Sequence, residues 1–219
     1  MDRSGQSMIA ITLACLLLSA CTGLSARPDP SRFFTLTPVT PAQETDAARS
    51  SGARPLSIGI GPITFPGYLD REQMVTRVSR HRFDLSENDR WAEPLEENFA
   101  RVLSQNLSVL LHTDRILRYP WHPDQRPAYQ IEIEVLHFEP NQLQEAQLMA
   151  RWNLIDPNTK KLLTTQESLL TRQATAKSAE ATVVALSEAL GELSREIADA
   201  VRAADRSLGE SLGDQPSLR

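Results

Sequence analysis

Cysteine, aromatic residues and excess positive charge are all scarce in this chain of 219 residues. Its only cysteines are Cys15 and Cys21, aromatic residues make up 5% of the sequence, and the formal net charge at pH 7 is −5. Proteins that bind nucleic acids usually carry basic patches and often aromatic side chains on which bases stack. The sequence shows neither feature, so its composition argues against nucleic acid as a partner.

Motifs for catalysis and cofactor binding are missing as well. No serine stands in a Gly-x-Ser-x-Gly pattern, which would mark an activated nucleophile. The pair Gly59 and Gly61 is followed by Pro62 rather than by the third glycine and helix start of a dinucleotide-binding turn. The four histidines are scattered singly, whereas a metal site needs three or four converging ligands. The sequence therefore predicts no catalytic residue, no cofactor and no metal site.

One pair of carboxylates resembles a catalytic pair. Glu132 and Glu134 are two residues apart on a predicted strand, so their side chains share one face. Alternation with Ile131 and Ile133 favours a simpler interpretation, in which the glutamates form the solvated face of a half-buried strand. A hydrolase that depends on Glu132, Glu134 or His137 remains the least favoured hypothesis.

The amino-terminal segment predicts export. Residues 8–18 form an uncharged apolar run behind Arg3. This run is shorter than the roughly 20 apolar residues of a membrane span and is typical of the core of a signal peptide. The sequence Leu-Ser-Ala-Cys at positions 18–21 resembles the lipobox of bacterial lipoproteins. We therefore predict a signal peptide at residues 1–20 and lipidation of Cys21, with an ordinary secretory signal cleaved after Ala20 as the alternative.

The resemblance to a lipobox has further implications. Cys15 leaves with the signal peptide and Cys21 carries the lipid, so the mature chain is expected to form no disulfide. Two or three acyl chains on one cysteine would hold the protein stably at a membrane, whereas a single chain would not. Thr22 is not the aspartate that retains enteric lipoproteins in the inner membrane. The resemblance therefore favours the periplasmic face of the outer membrane.

Composition and periodicity divide the rest of the chain. Residues 21–32 are small, polar and proline-containing, as expected of a lipidated tether. A single domain is expected at residues 33–205, with a flexible segment at 38–54 that is rich in alanine, serine, threonine and charge. Residues 206–219 are expected to form a disordered tail.

Within the domain, alternating apolar residues predict strands and apolar stripes at helical spacing predict two helices. The predicted strands cover residues 33–37, 56–61, 74–79, 82–85, 116–119, 129–136, 147–155 and 162–172. One helix is expected to begin around Pro94 and the other to run from about Ala179 to Ala204. The apolar seam of the last helix also fits a coiled coil with a partner, but about three heptads favour packing on the domain's own sheet. The order of elements indicates an α/β domain with a mixed β-sheet and packed helices.

Two stretches are unusual for a purely structural role. Residues 61–71 combine two prolines and two glycines with apolar and aromatic side chains, and a stiff loop of this kind loses little entropy on docking. Residues 88–95 lead into the first helix through Arg90 and Trp91, and Trp91 is equally well explained as a residue that packs this helix on the core. The candidate partner-binding residues are Phe65, Tyr68, Leu69, Asp70, Arg71, Arg90 and Trp91.

These stretches carry a family resemblance. The sequence is similar to the PqiC/YmbA family, the lipoprotein subunits of Pqi-type membrane-integrity transporters, also called ABC-type transport auxiliary lipoproteins. The similarity extends over nearly all of the mature chain, from the Phe-Phe-Thr-Leu at positions 33–36 to the final helix. The matching segments are residues 61–62, 66–71, 75–77, 89–95 and 119–121.

The resemblance implies a three-layer α/β domain like the amino-terminal domain of TolB, and a role without catalysis. It implies a docking component at the outer membrane for an MCE-domain (PqiB-like) protein and an integral membrane subunit. Such a system moves lipids or other hydrophobic molecules between the two membranes, and its lipoprotein subunits can form homo-oligomeric rings. The alternative is a lipoprotein scaffold or activator for cell-wall synthesis or secretion machinery.

Overall fold

The computed structural model describes residues 29–39 and 56–213, with side chains described as far as position 207. The predicted signal peptide, the lipidation of Cys21, most of the tether and most of the segment at 38–54 lie outside the described residues. The described residues from Ser31 onward form one compact unit. Its strands are β1 (Arg32–Phe34), β2 (Ile58–Thr64), β3 (Gln73–Ser79), β4 (Arg82–Trp91), β5 (Ile116–Arg118), β6 (Tyr129–Pro140), β7 (Glu145–Asp156) and β8 (Lys161–Gln173). Its α-helices are α1 (Leu95–Leu111) and α2 (Ala179–Gly213), and a short 3-10 helix covers Gly67–Leu69.

The strands form two mixed sheets. The large sheet has the order β5-β2-β6-β7-β8, in which β2 is parallel to both β5 and β6 and the remaining pairs are antiparallel. The small sheet has the order β1-β4-β3, with β1 parallel to β4 and β3 antiparallel to it. The predicted α/β fold class with a mixed sheet and packed helices is confirmed. The separation of β1, β3 and β4 into a sheet of their own was not foreseen from the sequence.

Both helices bury one apolar stripe. In α1 the first turn carries Glu96 and Glu97, whose negative charge favours the positive end of the helix dipole. The helix ends at His112, which adopts a left-handed conformation with φ 50° and donates its backbone N–H to the last turn. The helix α2 packs on α1 and on β6, β7 and β8, as its apolar seam predicted. The buried residues of α1 are Leu95, Asn98, Phe99, Val102, Leu103, Asn106 and Leu107.

One face of the large sheet holds the core against these helices. Strand β6 buries Tyr129, Ile131, Ile133 and Val135, while the intervening side chains are more exposed. A register shift between Val135 and His137 then adds one residue to β6, so the alternation changes phase before the strand ends. After the shift Glu139 lies opposite Gln147, on the same face of the sheet as Glu132 and Glu134, but it is buried there.

Five predicted boundaries are wrong by at least three residues. Strand β1 was expected to end at Thr37 but ends at Phe34, and β6 was expected to end at Leu136 but runs to Pro140. Residues 62–64 were expected to belong to a loop, but β2 continues through Thr64 because Ile63 and Thr64 keep pairing with β6. Strand β4 was expected to end at Leu85, but it runs to Trp91 because β1 pairs with its last three residues. The final helix was expected to end near Ala204 and to be followed by a disordered tail. It continues to Gly213, and only residues 214–219 of that tail lie outside the described residues.

Candidate interaction surface

The stretch at residues 61–71 divides into a buried part and an exposed part. The ring of Phe65 packs edge-to-face on Phe99 at 5.3 Å and on Phe138 at 6.4 Å between centroids. Leu69 is only 4% exposed and belongs to the core. Asp70 and Arg71 lie on the surface. Of the predicted partner-binding residues in this stretch, Phe65 and Leu69 therefore contribute to packing, and Asp70 and Arg71 are accessible to a partner.

Tyr68 is held in a polar cluster with residues from both sheets. Its hydroxyl donates a hydrogen bond to the Glu139 carboxylate at 2.9 Å and accepts one from the Arg77 guanidinium at 3.2 Å. Its ring stacks on Phe83, with 4.4 Å between centroids and an angle of 20° between the planes. The guanidinium carbon of Arg77 lies 4.4 Å from the centre of the Phe83 ring, within the range of a cation–π contact.

Glu139 is the centre of this cluster and is 1% exposed. Its carboxylate accepts hydrogen bonds from Arg77 Nε at 2.7 Å and from the backbone N–H of Phe138 at 2.8 Å. His137 also lies within the cluster, with Nδ1 2.9 Å from an Arg77 Nη atom and 3.1 Å from the Glu139 carboxylate. Every polar atom of the buried carboxylate thus has a partner, as a buried charge requires. We call Tyr68, Arg77, His137 and Glu139 the sheet joint, because Arg77 lies on β3 of the small sheet and Glu139 on β6 of the large one.

Burial and neighbouring charges set the protonation of Tyr68 and Arg77. Burial raises the pKa of Tyr68 above its ordinary value, and the negative charge of Glu139 and the hydrogen bond to it raise it further. Burial lowers the pKa of Arg77, but the hydrogen bond and charge of Glu139 outweigh this effect and the net pKa is raised. Tyr68 therefore stays protonated and Arg77 charged, so the joint links the two sheets through a stable ion pair.

The second stretch, residues 88–95, connects β4 of the small sheet to α1. Trp91 is 5% exposed and belongs to the core, and its backbone N–H donates to the Glu72 carbonyl at 2.7 Å. Arg90 is partly exposed and pairs with the Glu72 carboxylate at 3.1 Å, while its Nε is buried without a hydrogen-bond partner. Of the two interpretations left open for Trp91, packing on the core describes its position. Of the two candidate partner-binding residues in this stretch, Arg90 is the one that a partner can reach.

The glycine pair in β2 has a packing role. A Cβ atom added to Gly59 would lie 2.8 Å from the Trp121 ring, and one added to Gly61 would lie 2.7 Å from Tyr119. Gly61 also has a φ of +115°, which side chains rarely tolerate. The two glycines therefore make room for the segment around Tyr119 and Trp121, which matched the family resemblance, to cross β2.

The glutamates of β6 take part in surface ion pairs. Arg151 bridges Glu134 and Glu167 at 3.0 Å on each side, and all three side chains are about half exposed. Glu132 accepts a hydrogen bond from the Gln130 side chain at 3.4 Å. Among the described residues no group of three or more histidine, cysteine, aspartate or glutamate side chains is placed to hold a metal ion. In the same part of the chain, no helix combines the length and hydropathy needed to cross a membrane.

Comparisons with protein families and solved structures find proteins that are similar to this chain. A family model for the ABC-type transport auxiliary lipoprotein component matches residues 34–198. The crystal structure of an uncharacterized protein is 18% identical with a TM-score of 0.61, covering 78% of this chain and 98% of its own. Protein XCC0632 from Xanthomonas campestris, a DUF330 protein, is 13% identical with a TM-score of 0.60, covering 82% of this chain and 99% of its own. At these identities the solved structures show a shared fold. No curated protein matches the sequence.

Proposed function

The chain belongs to the family of ABC-type transport auxiliary lipoprotein components, and from this premise we propose that it is the docking subunit of an MCE/Pqi-type transport system. The family that the two signature stretches predicted is thereby confirmed. In the proposed role the domain is held at the periplasmic face of the outer membrane through Cys21. It receives an MCE-domain protein and an integral membrane subunit that together move lipids or hydrophobic molecules across the envelope. No step of this role requires catalysis by the chain itself.

The observation that carries the proposal is the family match over residues 34–198 on a chain whose amino terminus resembles a lipobox. Anchoring and docking are the two properties that such a component needs. A cysteine with two or three acyl chains supplies durable anchoring. The sheet joint supports the docking part of the proposal, because it holds the loop that carries Asp70 and Arg71 against the domain. A surface that is already ordered loses less entropy when a partner binds.

Affinity purification from envelopes tests the proposal. Full-length protein with a carboxy-terminal tag is cross-linked in intact cells, extracted in detergent and purified, and its partners are identified by mass spectrometry. We expect recovery of an MCE-domain protein together with an integral membrane subunit. Density fractionation of the same envelopes is expected to place the tagged chain in the outer-membrane fraction. Native mass spectrometry of the purified sample tests the homo-oligomeric ring that the resemblance implies.

Cys21→Ser is the matched control. The variant keeps the whole domain and removes only the atom that carries the lipid, so it is expected to leave the membrane fraction and to lose most of the recovered partners. Recovery of only peptidoglycan-synthesis or secretion proteins with the lipidated chain would contradict the transport role. That result would support the alternative, a lipoprotein scaffold or activator for those machineries.

A further inference from the structure

Strand β8 is a long and open edge of the large sheet. It has 13 residues and one neighbour, β7, whereas the opposite edge, β5, has three residues. Short strands, prolines and inward-pointing charges are the usual ways in which proteins protect a sheet edge from pairing with another chain. β8 has no proline, and its exposed residues include Leu162 and Leu169, at 55% and 66%. An edge of this length is suited to pairing with another strand.

The register shows which main-chain groups point outward. The N–H of Ala174 donates to the Gln144 carbonyl at 2.9 Å, which makes these two residues a hydrogen-bonded antiparallel pair. Hydrogen-bonded and non-hydrogen-bonded pairs alternate along such a ladder. The backbone groups of Thr165, Glu167, Leu169 and Thr171 therefore face away from β7. Arg172 already donates to the Thr171 carbonyl at 2.8 Å, so the accessible window, which we call the β8 edge, consists of Thr165, Glu167 and Leu169.

A groove runs beside this window, between β8 and α2. Its volume is about 650 Å³, and its walls on α2 are formed by two acidic residues and two alanines, Glu196, Asp199, Ala200 and Ala203. Side chains of an added strand would alternate between this groove and the outer face of the sheet. The alanines leave space for the stems of long side chains. Asp199 pairs with Arg202 of the same helix at 2.8 Å, but its side chain is 74% exposed, so a positive charge of a partner can also reach it.

We propose that the β8 edge binds an extended segment of a partner protein that adds to the large sheet as a further strand and inserts lysine or arginine side chains into the groove. Main-chain hydrogen bonds to the window supply affinity in this mode of recognition, and the pockets for alternate side chains supply specificity. The outward N–H and C=O groups of Glu167 and Leu169 would form the central hydrogen bonds. The acidic wall of the groove would select basic residues.

A second copy of the chain fits this surface poorly. Antiparallel pairing of two β8 strands around the window would bring Glu167 of one copy close to Glu167 of the other. The acidic groove walls would also face each other, and like charges directly opposite are destabilising. The partner strand is therefore expected to come from a different polypeptide. The inference rests on the proposed function only for the identity of that polypeptide, which would be a component of the transport system.

Site-specific photo-cross-linking in intact envelopes tests the proposal. A benzophenone amino acid replaces Thr165 in the full-length lipidated protein, and the control probe replaces Val109, which is exposed on α1. After irradiation the adducts are purified and the cross-linked peptide is sequenced by mass spectrometry. We expect an adduct at position 165, absent at position 109, in which the captured peptide contains lysine or arginine at alternating positions.

Two variants with matched controls connect the adduct to the mechanism. Leu169→Pro removes an outward N–H that β7 does not use, a position where an edge strand tolerates proline, and Leu169→Ala removes the side chain alone. We expect the proline variant to lower the yield of adduct at least about tenfold and the alanine variant to lower it less than about threefold. Asp199→Lys reverses one charge in the groove, and Asp114→Lys makes the same change on an exposed loop. Only the change at Asp199 is expected to reduce the yield.

Each outcome separates this proposal from the proposed function. Recovery of the transport partners without an adduct at position 165 overturns strand addition and leaves the function standing. An adduct with a mapped basic strand from a protein unrelated to transport supports strand addition and contradicts the function. An adduct with a second copy of the chain, or equal yields for Leu169→Pro and Leu169→Ala, also overturns the proposal. If Leu169→Pro fails to fold, the pair Asp199→Lys and Asp114→Lys decides.

Discussion

The sheet joint and the β8 edge place similar chemical groups in opposite environments. At the joint, Glu139 is 1% exposed and its carboxylate is surrounded by donors. At the edge, Glu167 is about half exposed and shares Arg151 with Glu134. Both regions contain an arginine paired with glutamate, but only the joint removes the pair from water. The comparison indicates that the polar groups of the joint stabilise the folded domain, and that those of the edge contribute little to its stability.

The largest expected effect is the loss of the buried carboxylate charge. Glu139→Gln leaves Arg77 charged and 20% exposed without its counter-ion, and we expect the free energy of unfolding to fall by about 3 kcal/mol. Urea denaturation of the unlipidated domain followed by circular dichroism measures the change. Adding Arg77→Met to Glu139→Gln is expected to recover part of the loss, because the double variant no longer buries an unpaired charge. A loss below about 1 kcal/mol for Glu139→Gln would contradict the structural role of the joint.

Alkaline pH is expected to produce the next largest effect. Burial and the charge of Glu139 raise the pKa of Tyr68, and burial together with the charge of Asp205 raises the pKa of Tyr129 to about 12. The folded protein therefore keeps protons that the unfolded chain loses above about pH 10. Its stability is fully present below that pH and decreases as the pH rises toward 12, by up to about 1.4 kcal/mol per pH unit for each tyrosine.

Urea denaturation between about pH 9 and about pH 11, on either side of the ordinary tyrosine pKa of about 10, measures this slope. Tyr68→Phe removes one of the two groups and is expected to reduce the slope by about half. Tyr119→Phe removes a hydroxyl from a side chain that is 58% exposed and lies outside the joint, so it is the control for the substitution itself. If the slope of Tyr68→Phe equals that of the unmodified domain, the tyrosine of the joint is not protected in the way its contacts indicate.

Much of the fold could be predicted from the sequence, and the joint could not, for reasons that are visible in single residues. The helices and the first part of β6 follow from periodicity, since Ile131, Ile133 and Val135 alternate with polar residues. The register shift after Val135 moves Glu139 to the face of the sheet that carries the solvated Glu132 and Glu134, so the alternation along β6 does not account for its burial. Its burial depends on Arg77 and Tyr68, which are 62 and 71 residues away in the chain. Contacts at such separations are fixed by the tertiary fold.

The candidate partner-binding residues, too, could be predicted only in part from the sequence. The sequence identified the two stretches at residues 61–71 and 88–95, and the structure places part of each in the core. Aromatic and apolar residues in a stiff loop fit packing as well as docking, so Leu69 and Trp91 could not be distinguished from Asp70 and Arg71 by composition. The β8 edge carried no motif at all. A strand becomes an edge through its place in the sheet, and that place depends on all of the other strands.

The smallest expected effect completes the comparison of the two ion pairs. Glu167→Gln removes one of the two carboxylates that Arg151 contacts, and we expect the free energy of unfolding to change by less than about 0.5 kcal/mol. Water already solvates both partners, so the charge of Arg151 is not left unpaired in a dry environment as that of Arg77 would be. The small change should also decrease as salt is added, because exposed pairs are screened. Urea denaturation of Glu167→Gln beside Glu139→Gln, at low and at high salt, gives both values in one series. Equal losses for the two substitutions would remove the distinction between a joint that stabilises the domain and an edge that is left for a partner.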